Sequence, residues 1–366
     1  MSVMAEAPLD GVEVAAFRIP TDKPEADGTF AWTSTTLLTV HVTAAGVRGF
    51  GFAYGSAAAR PLVRDELGPL VVGLDALAVE RIWNVLVGAV RNAGRPGIAS
   101  TAISALDLAL WDLKAKLLGL PLVRLLGDVR ATVPVYGSGG FTSYSTAELR
   151  DQLAGWVDAG IPRVKMKVGS HPDEDVGRVA EARRAIGPDA QLMVDGNGAY
   201  QPADAVGKAH AFAAEGAIWF EEPVSSDDLA GLSSIRARTP PGLAIAAGEY
   251  GYHPIYFRRM LEAGAVDVLQ ADVTRCLGVT GFMAAARLCQ AFGVPLSCHT
   301  APSLHAHPAC AATPVVHVEY FHDHVRIEKM LMDGFVTPTD GALRPDRGRP
   351  GIGLELKTSD AAAYAI

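Results

Sequence analysis

The sequence is poor in cysteine, which limits the kinds of site that the chain can hold. Its 366 residues include only four cysteines, Cys276, Cys289, Cys298 and Cys310, and no two of them form a CxxC pair. Cysteine zinc sites and disulfide-stapled folds both rely on cysteines at characteristic spacings. We therefore expect neither a zinc site of this kind nor a disulfide framework.

Long apolar runs and basic runs are also absent from the sequence. No apolar segment approaches the roughly 18 residues that a membrane-spanning helix needs, and the N-terminus lacks the basic and apolar regions of a signal peptide. The formal net charge is −8, so neither nucleic acid nor an anionic membrane surface is expected as a partner. The interpretation is a cytoplasmic protein.

The first third of the chain has the pattern of an α+β domain. Three strand-like runs, 11–19, 34–42 and 47–55, are separated by turn residues as in an antiparallel meander. Helical patterns follow to about residue 126, and the clearest is an amphipathic stretch at 100–120. We predict an N-terminal domain over 1–128.

The pattern changes near residue 130, where short β-rich runs alternate with helical stretches. Their spacing of roughly 20–30 residues is typical of βα units, and eight units predict a barrel of parallel strands over residues 129–340. The Gly- and Pro-rich C-terminal segment, 341–366, is expected to complete the first domain. The eight runs are 133–138, 163–168, 191–196, 217–222, 243–249, 266–272, 294–299 and 315–320.

Ionisable side chains stand at the ends of seven consecutive predicted strands. In a parallel barrel these ends lie on one rim, the C-terminal face where active sites form. Each residue alone could begin a loop or cap a helix, but solvation does not explain all of them together. They are Lys165 and Lys167, then Asp195, Glu221, Glu249, Asp272, His299 and Glu319.

Three of these residues, Asp195, Glu221 and Glu249, end three adjacent strands. Their carboxylates should converge, because adjacent strands lie about 4.8 Å apart, and without a cation they would repel one another. Ligation by oxygen alone favours Mg²⁺ over Zn²⁺. Asn197 lies on the same side as Asp195 and can donate to a ligand oxygen, whereas Glu222 points to the other face and is given a structural role.

Asp272 and His299 end neighbouring strands and are predicted to act as a pair. A carboxylate beside an imidazole fixes its tautomer and raises its basicity; the alternative is a histidine that only packs in the core. Further histidines crowd the same region, but their spacing forms no zinc-ligand set, so we interpret them as packing and surface residues: His305, His307, His317, His322 and His324.

The lysines of "RVKMKV" (163–168) share one face of their strand, because side chains alternate. A solvated face is the simple explanation for such a pair. The acids at the strand ends favour a different explanation. In it, a metal holds the substrate carboxylate, and Lys167 and His299 act as bases on opposite sides of it. The metal and Lys165 should lower the pKa of Lys167 to give a neutral amine. Lys165 and a protonated Glu319 should stabilise the enolate.

Taken together, these motifs resemble the enolase superfamily, mandelate racemase subgroup, over nearly the whole chain. The resemblance places the base on Lys167, its assisting lysine on Lys165 and the electrophilic glutamate on Glu319. It also places the metal on Asp195, Glu221 and Glu249, and the acid–base dyad on Asp272 and His299. The motifs are "ALDLALWDLKAKLLGLPLVRLLG" (105–127), "KMK", "VDGN", "WFEEP", "AAGE", "DVTRCLG", "SCHT" and "HVEY".

The resemblance implies a modified (β/α)7β TIM-like barrel, an α/β fold, with an N-terminal α+β capping domain; we adopt it over the eightfold barrel. It also implies Mg²⁺-dependent proton abstraction α to a carboxylate and a homo-oligomer. "DVTRCLGVTG" (272–281) is most similar to acid-sugar dehydratases, which predicts a carbon–oxygen lyase acting on a sugar acid. The alternatives are a racemase or epimerase, a lactone cycloisomerase, and a non-catalytic scaffold.

Substrate choice is expected to lie in two segments of the cap, 21–32 and 51–60, which we interpret as polar loops. Trp32 and Tyr54 in these segments, with Asn197 in the barrel, are the candidate substrate-binding residues. Ordinary surface loops are the alternative explanation.

Overall fold

The computed structural model describes residues 6–366 and shows a three-stranded antiparallel sheet in the cap. The strands are β1 Leu9–Ala26, β2 Ala31–Ala44 and β3 Val47–Tyr54, in the order β1-β2-β3. The three predicted strands are present, and β1 and β2 extend further toward each other. They form a long hairpin whose tip projects over the rim of the barrel.

The interpretation of 21–32 and 51–60 as loops was therefore largely wrong. Glu25 pairs with Trp32 and Ala26 with Ala31, while a register shift leaves residues 21–24 without register partners in β2 and a short turn lies near Gly28. Polar composition was misleading because an edge hairpin tolerates polar side chains on its outer face. Likewise Gly51–Tyr54 belongs to β3 and is buried, since this end of the strand packs under a helix of the cap.

The helices of the cap follow the sheet, and the longest packs directly on β3. A π-helical turn, Leu62–Leu67, lies between the first two helices. The helices are α1 Ala59–Pro61, α2 Gly68–Val71, α3 Val79–Ala89, α4 Ile98–Leu117 and α5 Leu122–Leu126. The predicted amphipathic helix is thus present as α4.

The contact between β3 and α4 requires glycine. A Cβ atom on Gly51 would lie 2.4 Å from both Ala105 O and Ala109 N, which are backbone atoms of α4. We expect Gly51→Val to destabilise the protein by about 3 kcal/mol, because overpacking against backbone forces the two elements apart. Urea unfolding measures this, with Gly11→Val as the control, since nothing lies within 4 Å of a Cβ there. Equal stability of the two variants would contradict the close approach.

The second part of the chain is a closed barrel of eight parallel strands, and it confirms the predicted (β/α)7β fold. Each predicted run is a strand, and the last pairs with the first to close the barrel. The strands are β4 Val133–Gly139, β5 Arg163–Lys167, β6 Gln191–Asp195, β7 Ala217–Glu221, β8 Ala244–Ala247, β9 Val268–Ala271, β10 Leu296–Cys298 and β11 Val315–Phe321.

Seven helices connect the eight strands, and an eighth follows the last strand. These helices shield the outer face of the barrel, whose strands contribute buried apolar residues to the main core. None of the helices in the described part of the chain is long and apolar enough to cross a bilayer. The helices are α6 Thr146–Asp158, α7 Asp175–Ile186, α8 Pro202–Ala214, α9 Leu229–Arg236, α10 Pro254–Glu262, α11 Gly278–Phe292, α12 Pro302–Ala311 and α13 His322–Leu331.

The C-terminal segment runs along both parts of the molecule. Ile366 N donates to Ala16 O of the cap sheet, while Ala342 pairs with Pro134 of the barrel. The predicted division at residues 128 and 340 stays a prediction. The remaining elements are β12 Met332–Asp333, β13 Ala342–Leu343, β14 Glu355–Leu356, α14 Thr358–Ala361 and a 3₁₀ turn, Ala362–Tyr364.

Two buried acids on α4 tie the cap to the barrel and to this segment. Asp107 accepts hydrogen bonds from Thr280 N at 3.0 Å and from Thr280 Oγ1 at 2.6 Å, at the start of α11. Asp112 accepts from Phe50 N at 2.8 Å and from Ile352 N at 2.7 Å. These bonds hold the cap in a defined position above the barrel rim, where the cavity described below is formed.

Candidate active site

The predicted strand-end residues meet at the C-terminal rim of the barrel. Lys167 is the register partner of Asp195 on the next strand, and Asp195 is the partner of Glu221. Glu249 follows the end of β8, on the far side of Glu221. All four side chains are buried, with at most 5% of the residue surface exposed.

The three carboxylates of Asp195, Glu221 and Glu249 form a site that fits a divalent cation. Each offers an oxygen within 4.8 Å of the others. Glu221 Oε1 is buried and has no hydrogen-bond partner among the described residues. Burial, and then the charge of Asp195, raise the pKa of Glu221, so its ionised form needs a compensating cation. The donor set consists of carboxylates only, which suits Mg²⁺.

The solvated-face explanation for the two lysines is wrong, because both are buried. Lys165 Nζ lies 2.6 Å from Glu221 Oε2 and 2.9 Å from Glu319 Oε1. Lys167 Nζ lies 2.5 Å from Asp195 Oδ2. Burial lowers the pKa of Lys167, but Asp195 outweighs it, and the pKa is raised. Asp195 directs its charge at the ammonium group, and a cation held by Asp195 would offset that charge, so the neutral amine expected beside the metal stays a prediction.

His299 lies at the other end of the carboxylate set and is paired with Asp272 as predicted. Its Nδ1 lies 2.8 Å from Asp272 Oδ2, and its Nε2 lies 3.1 Å from Glu249 Oε2. Burial lowers the pKa of His299, but Glu249 and Asp272 outweigh burial and raise the pKa to about 10. Asp272 therefore holds one ring nitrogen, and the other is directed toward the site, where a cation on Glu249 would offset the charge that raises this pKa.

Glu319 lies between the two basic groups, and its expected protonation is not what the structure favours. Burial raises its pKa, but Lys165, and then His299, outweigh burial and lower the pKa to about 2. Thr300 N also donates to Glu319 Oε2 at 3.0 Å. The ionised carboxylate is thus favoured in this arrangement, because it lies 2.9 Å from the Lys165 ammonium and also faces His299.

A cavity of about 330 Å³ opens directly above these groups. Lys167 and His299 line its floor, and the cap supplies Trp32 and Tyr54 to its wall. Asn197 completes the predicted substrate-binding residues, all of which border the cavity. Their roles in binding stay predictions.

The hairpin tip is held close to the barrel by a glycine. A Cβ atom on Gly28 would lie 2.4 Å from Gly196 O and 2.7 Å from Val168 O. The backbone of the hairpin can therefore reach the backbone of two barrel loops only because Gly28 has no side chain. This contact closes one side of the cavity.

Comparison with family models identifies the two parts of the chain. Residues 12–127 match the model described as mandelate racemase / muconate lactonizing enzyme, N-terminal domain. Residues 148–361 match the model described as enolase C-terminal domain-like. The chain belongs to the mandelate racemase/muconate lactonizing enzyme family. It is therefore a member of the enolase superfamily, as the motifs predicted.

Relatives in this family include both isomerases and lyases. The chain is 34% identical over 359 residues to a 3,6-anhydro-alpha-L-galactonate cycloisomerase of Streptomyces coelicolor, covering 95% of this chain and 98% of that protein. It is 32% identical over 322 residues to an L-talarate/galactarate dehydratase of Salmonella typhimurium, covering 85% of this chain and 78% of that protein. The family is shown, whereas the overall reaction differs among its members.

Solved structures of family members match the whole chain. A mandelate racemase/muconate lactonizing enzyme-like protein from Rubrobacter xylanophilus has a TM-score of 0.96 at 50% identity, covering 98% of this chain and all of that one. A racemase from Streptomyces coelicolor A3(2), solved with bound magnesium, has a TM-score of 0.92 at 32% identity, covering 98% of this chain and all of that one. With the buried carboxylate triad, this supports Mg²⁺ as the cofactor of this family member.

One residue of the site that sequence reasoning missed is Arg275. Its Nη1 lies 3.4 Å from Glu249 Oε1 and its Nε lies 3.5 Å from Asp272 Oδ2, and it borders the cavity. Arg275 follows Asp272 by three residues within "DVTRCLG", so its place in that motif was the available signal. Glu222, by contrast, borders a neighbouring cavity, and its structural role stays a prediction.

Proposed function

We propose that the protein is an acid-sugar dehydratase that removes the proton α to a carboxylate and then eliminates water. The observation that carries this proposal is the position of two buried basic groups at opposite ends of the carboxylate triad. Lys167 contacts Asp195 at one end, and His299 contacts Glu249 at the other. A substrate carboxylate held between them would present its α-carbon to one group and its β-substituent to the other.

The chemistry requires a cation, a base and an acid. A bound Mg²⁺ supplies positive charge that stabilises the negative charge developing on the substrate carboxylate. Lys167, as the base, takes the α-proton as the C–H bond breaks. His299, held by Asp272, then gives a proton to the β-hydroxyl as the C–O bond breaks, and the resulting enol ketonises to a 2-keto-3-deoxy acid. Lys165 adds a buried positive charge beside Glu221.

The cavity wall supports a polyhydroxylated substrate. The hydrogen-bonding groups that face the cavity include Asp27, Ser34 and Thr35 of the cap hairpin and Asn197 of the barrel. Asn197 Oδ1 is buried without a hydrogen-bond partner among the described residues, so it can accept from a substrate hydroxyl. A sugar acid supplies such hydroxyls along its whole length.

A substrate screen tests the proposal. The protein is incubated with Mg²⁺ and a library of C5 and C6 aldonic and aldaric acids, and keto acid is detected with semicarbazide. We expect one stereochemical subset to yield a 2-keto-3-deoxy acid. If no acid yields keto product while racemisation or lactone isomerisation is seen by NMR, the dehydratase proposal is wrong.

The second candidate is an isomerase of the same family, either a racemase or epimerase or a lactone cycloisomerase. The 34% identity to a cycloisomerase favours it, and the same residues serve both reactions. Elimination of a ring oxygen instead of water needs the same acid at His299. A racemase needs no leaving group, so its product would retain every oxygen of the substrate, which mass spectrometry detects.

Asp272 should affect turnover more than metal binding. We expect Asp272→Asn to lower kcat by about 10²-fold, because His299 loses the carboxylate that orients and charges it. The affinity for Mg²⁺ should fall less than kcat does, since Asp272 is not one of the three ligands and reaches Glu249 only through His299 and Arg275. Steady-state kinetics across a Mg²⁺ titration measures both. A variant with normal kcat and weakened Mg²⁺ binding would contradict this role.

The homo-oligomer expected from the resemblance stays a prediction, which light scattering during size-exclusion chromatography can test. The scaffold alternative also has a direct test. A non-catalytic protein would bind Mg²⁺ but would not exchange the α-proton of any acid in the library.

A further inference from the structure

A second group of metal-ligand side chains lies between the cap hairpin and the barrel, away from the catalytic carboxylates. Asp22, Glu25 and His322 each offer a ligand atom within 4.8 Å of the others. His322 Nε2 lies 3.0 Å from Asp22 Oδ2 and 3.2 Å from Asp22 Oδ1. Asp22 and Glu25 belong to β1, whereas His322 begins α13 immediately after the last barrel strand.

Glu25, one of these three residues, is buried without a positively charged partner among the described residues. It is fully buried, and its Oε1 has no hydrogen-bond partner among residues 6–366. Its Oε2 accepts from Trp32 Nε1 at 2.8 Å. A buried carboxylate oxygen without a donor costs free energy unless a cation or a proton satisfies it.

The nearby arginine does not supply that cation. Arg326 Nη2 lies 2.7 Å from Asp323 Oδ1, and Arg326 also donates to Pro20 O. Its charge is therefore already matched by Asp323. In the described part of the chain, His322 is the ion-pair partner of Asp22, and Glu25 has no Lys or Arg within ion-pair distance.

We propose that Asp22, Glu25 and His322 form a second cation site that binds a divalent transition metal such as Zn²⁺. One imidazole nitrogen and two carboxylates are three ligands of the kinds that Zn²⁺ takes, and exposed Asp22 leaves room for a water as the fourth. The imidazole distinguishes this site from the all-carboxylate Mg²⁺ site. A cation here links the hairpin to the barrel.

A cation at this second site would also affect the catalytic cavity, because Glu25 contacts Trp32 in the cavity wall. Glu25 holds the Trp32 indole by its N–H, and Trp32 forms part of the cavity wall. Trp32 also stands edge-on to Phe141, at 5.7 Å between ring centroids. Zn²⁺ bound to Glu25 and His322 would fix the hairpin close to its tip, and with it the position of this wall.

Binding of Zn²⁺ at this site should release a proton from Glu25, which calorimetry can detect. Burial raises the pKa of Glu25 to about 8; Asp323 and Asp22 add to the rise, while Trp32 and Arg326 oppose it. Glu25 therefore carries a proton near neutral pH when no cation is bound. Binding of Zn²⁺ should displace that proton, so the calorimetric heat should vary with the ionisation enthalpy of the buffer.

The test is a Zn²⁺ titration of the full protein by calorimetry, with Mg²⁺ in excess to load the catalytic carboxylates. We expect one Zn²⁺ equivalent to bind the wild type. The variants Glu25→Gln and His322→Gln should weaken this binding at least tenfold. Glu25→Gln keeps an acceptor for Trp32, so its fold should be preserved. His210→Gln, a surface histidine whose partner is a backbone carbonyl, should bind like the wild type.

Two further measurements separate this site from displacement of Mg²⁺. Glu221→Gln should retain the Zn²⁺ equivalent, because it alters only the catalytic set. Hydrogen exchange of residues 20–32 should slow on Zn²⁺ addition in the wild type and not in His322→Gln. The proposal is overturned if His322→Gln and Glu25→Gln bind Zn²⁺ as the wild type does, or if anomalous diffraction places the ion only at the catalytic carboxylates.

Discussion

Lys167→Met and His299→Asn should each lower the rate of α-proton exchange by about 10²–10⁴-fold, but for opposite C2 epimers of the substrate. The reason is geometric. Lys167 contacts Asp195 at one end of the carboxylate triad, and His299 contacts Glu249 at the other end. Each group can therefore reach the α-proton from only one side of a carboxylate held over the triad.

Proton NMR in deuterated water measures this, with both epimers of the best substrate from the library and Mg²⁺ in excess. Metal content must be equal in all samples, because Lys167 and His299 touch metal-ligand carboxylates. Lys329→Met, a substitution on an exposed lysine, serves as the control. If both variants lose exchange to the same extent with both epimers, the two groups do not work on opposite faces.

Removal of one metal ligand should lower activity at least as much as Lys167→Met or His299→Asn lowers α-proton exchange. Glu221→Gln should weaken Mg²⁺ binding by more than about 100-fold, since even residues beyond the ligands commonly contribute 10- to 100-fold. Activity should fall with it, because the developing negative charge on the substrate then lacks its counter-charge. Chelation by EDTA should abolish the activity of the wild type, and added Mg²⁺ should restore it.

Calorimetric Mg²⁺ titration and activity measurements test this pair of expectations. Glu262→Gln, on an exposed face of α10, is the matched control and should behave as the wild type. Gln preserves the size of Glu221 and can still accept from Lys165, so the loss should be one of metal affinity. Activity that survives EDTA, or a Glu221→Gln variant with normal Mg²⁺ affinity, would refute the role of the triad.

The positions of the rim residues could be predicted because they follow from two regular rules. Parallel strands end on one face of a barrel, and side chains alternate along each strand. These rules were sufficient to bring Asp195, Glu221 and Glu249 together and to place Lys165 beside Lys167. The closing pair between β11 and β4 then brings Glu319 within reach of Lys165.

Protonation states could not be predicted in the same way, because they depend on distances within the folded site. Lys167 was expected to be neutral beside a bound metal, but its 2.5 Å contact with Asp195 raises its pKa, so its charge depends on the balance between that contact and the cation. Glu319 was expected to be protonated, but Lys165 at 2.9 Å favours the ionised form. A change of an ångström in either distance alters the balance between burial and charge.

Long-range contacts of the cap were also beyond local sequence patterns. The hairpin strands β1 and β2 have polar composition at 21–32 and were interpreted as a loop. The buried acids Asp107 and Asp112 lie within a helix, where their spacing gives no sign of partners such as Thr280 and Ile352. Such contacts join segments far apart in the chain, so only the fold reveals them.

The reaction proposed for this protein begins with removal of the α-proton of a sugar acid with the help of Mg²⁺, Lys167 and His299. The most direct test is the loss of deuterium from sugar acids labelled at C2, followed by NMR over the stereochemical library with Mg²⁺ present. We expect deuterium loss from at least one acid, at a rate that depends on Mg²⁺ and falls in Lys167→Met or His299→Asn. Retention of deuterium in every acid by the Mg²⁺-loaded wild type would contradict it.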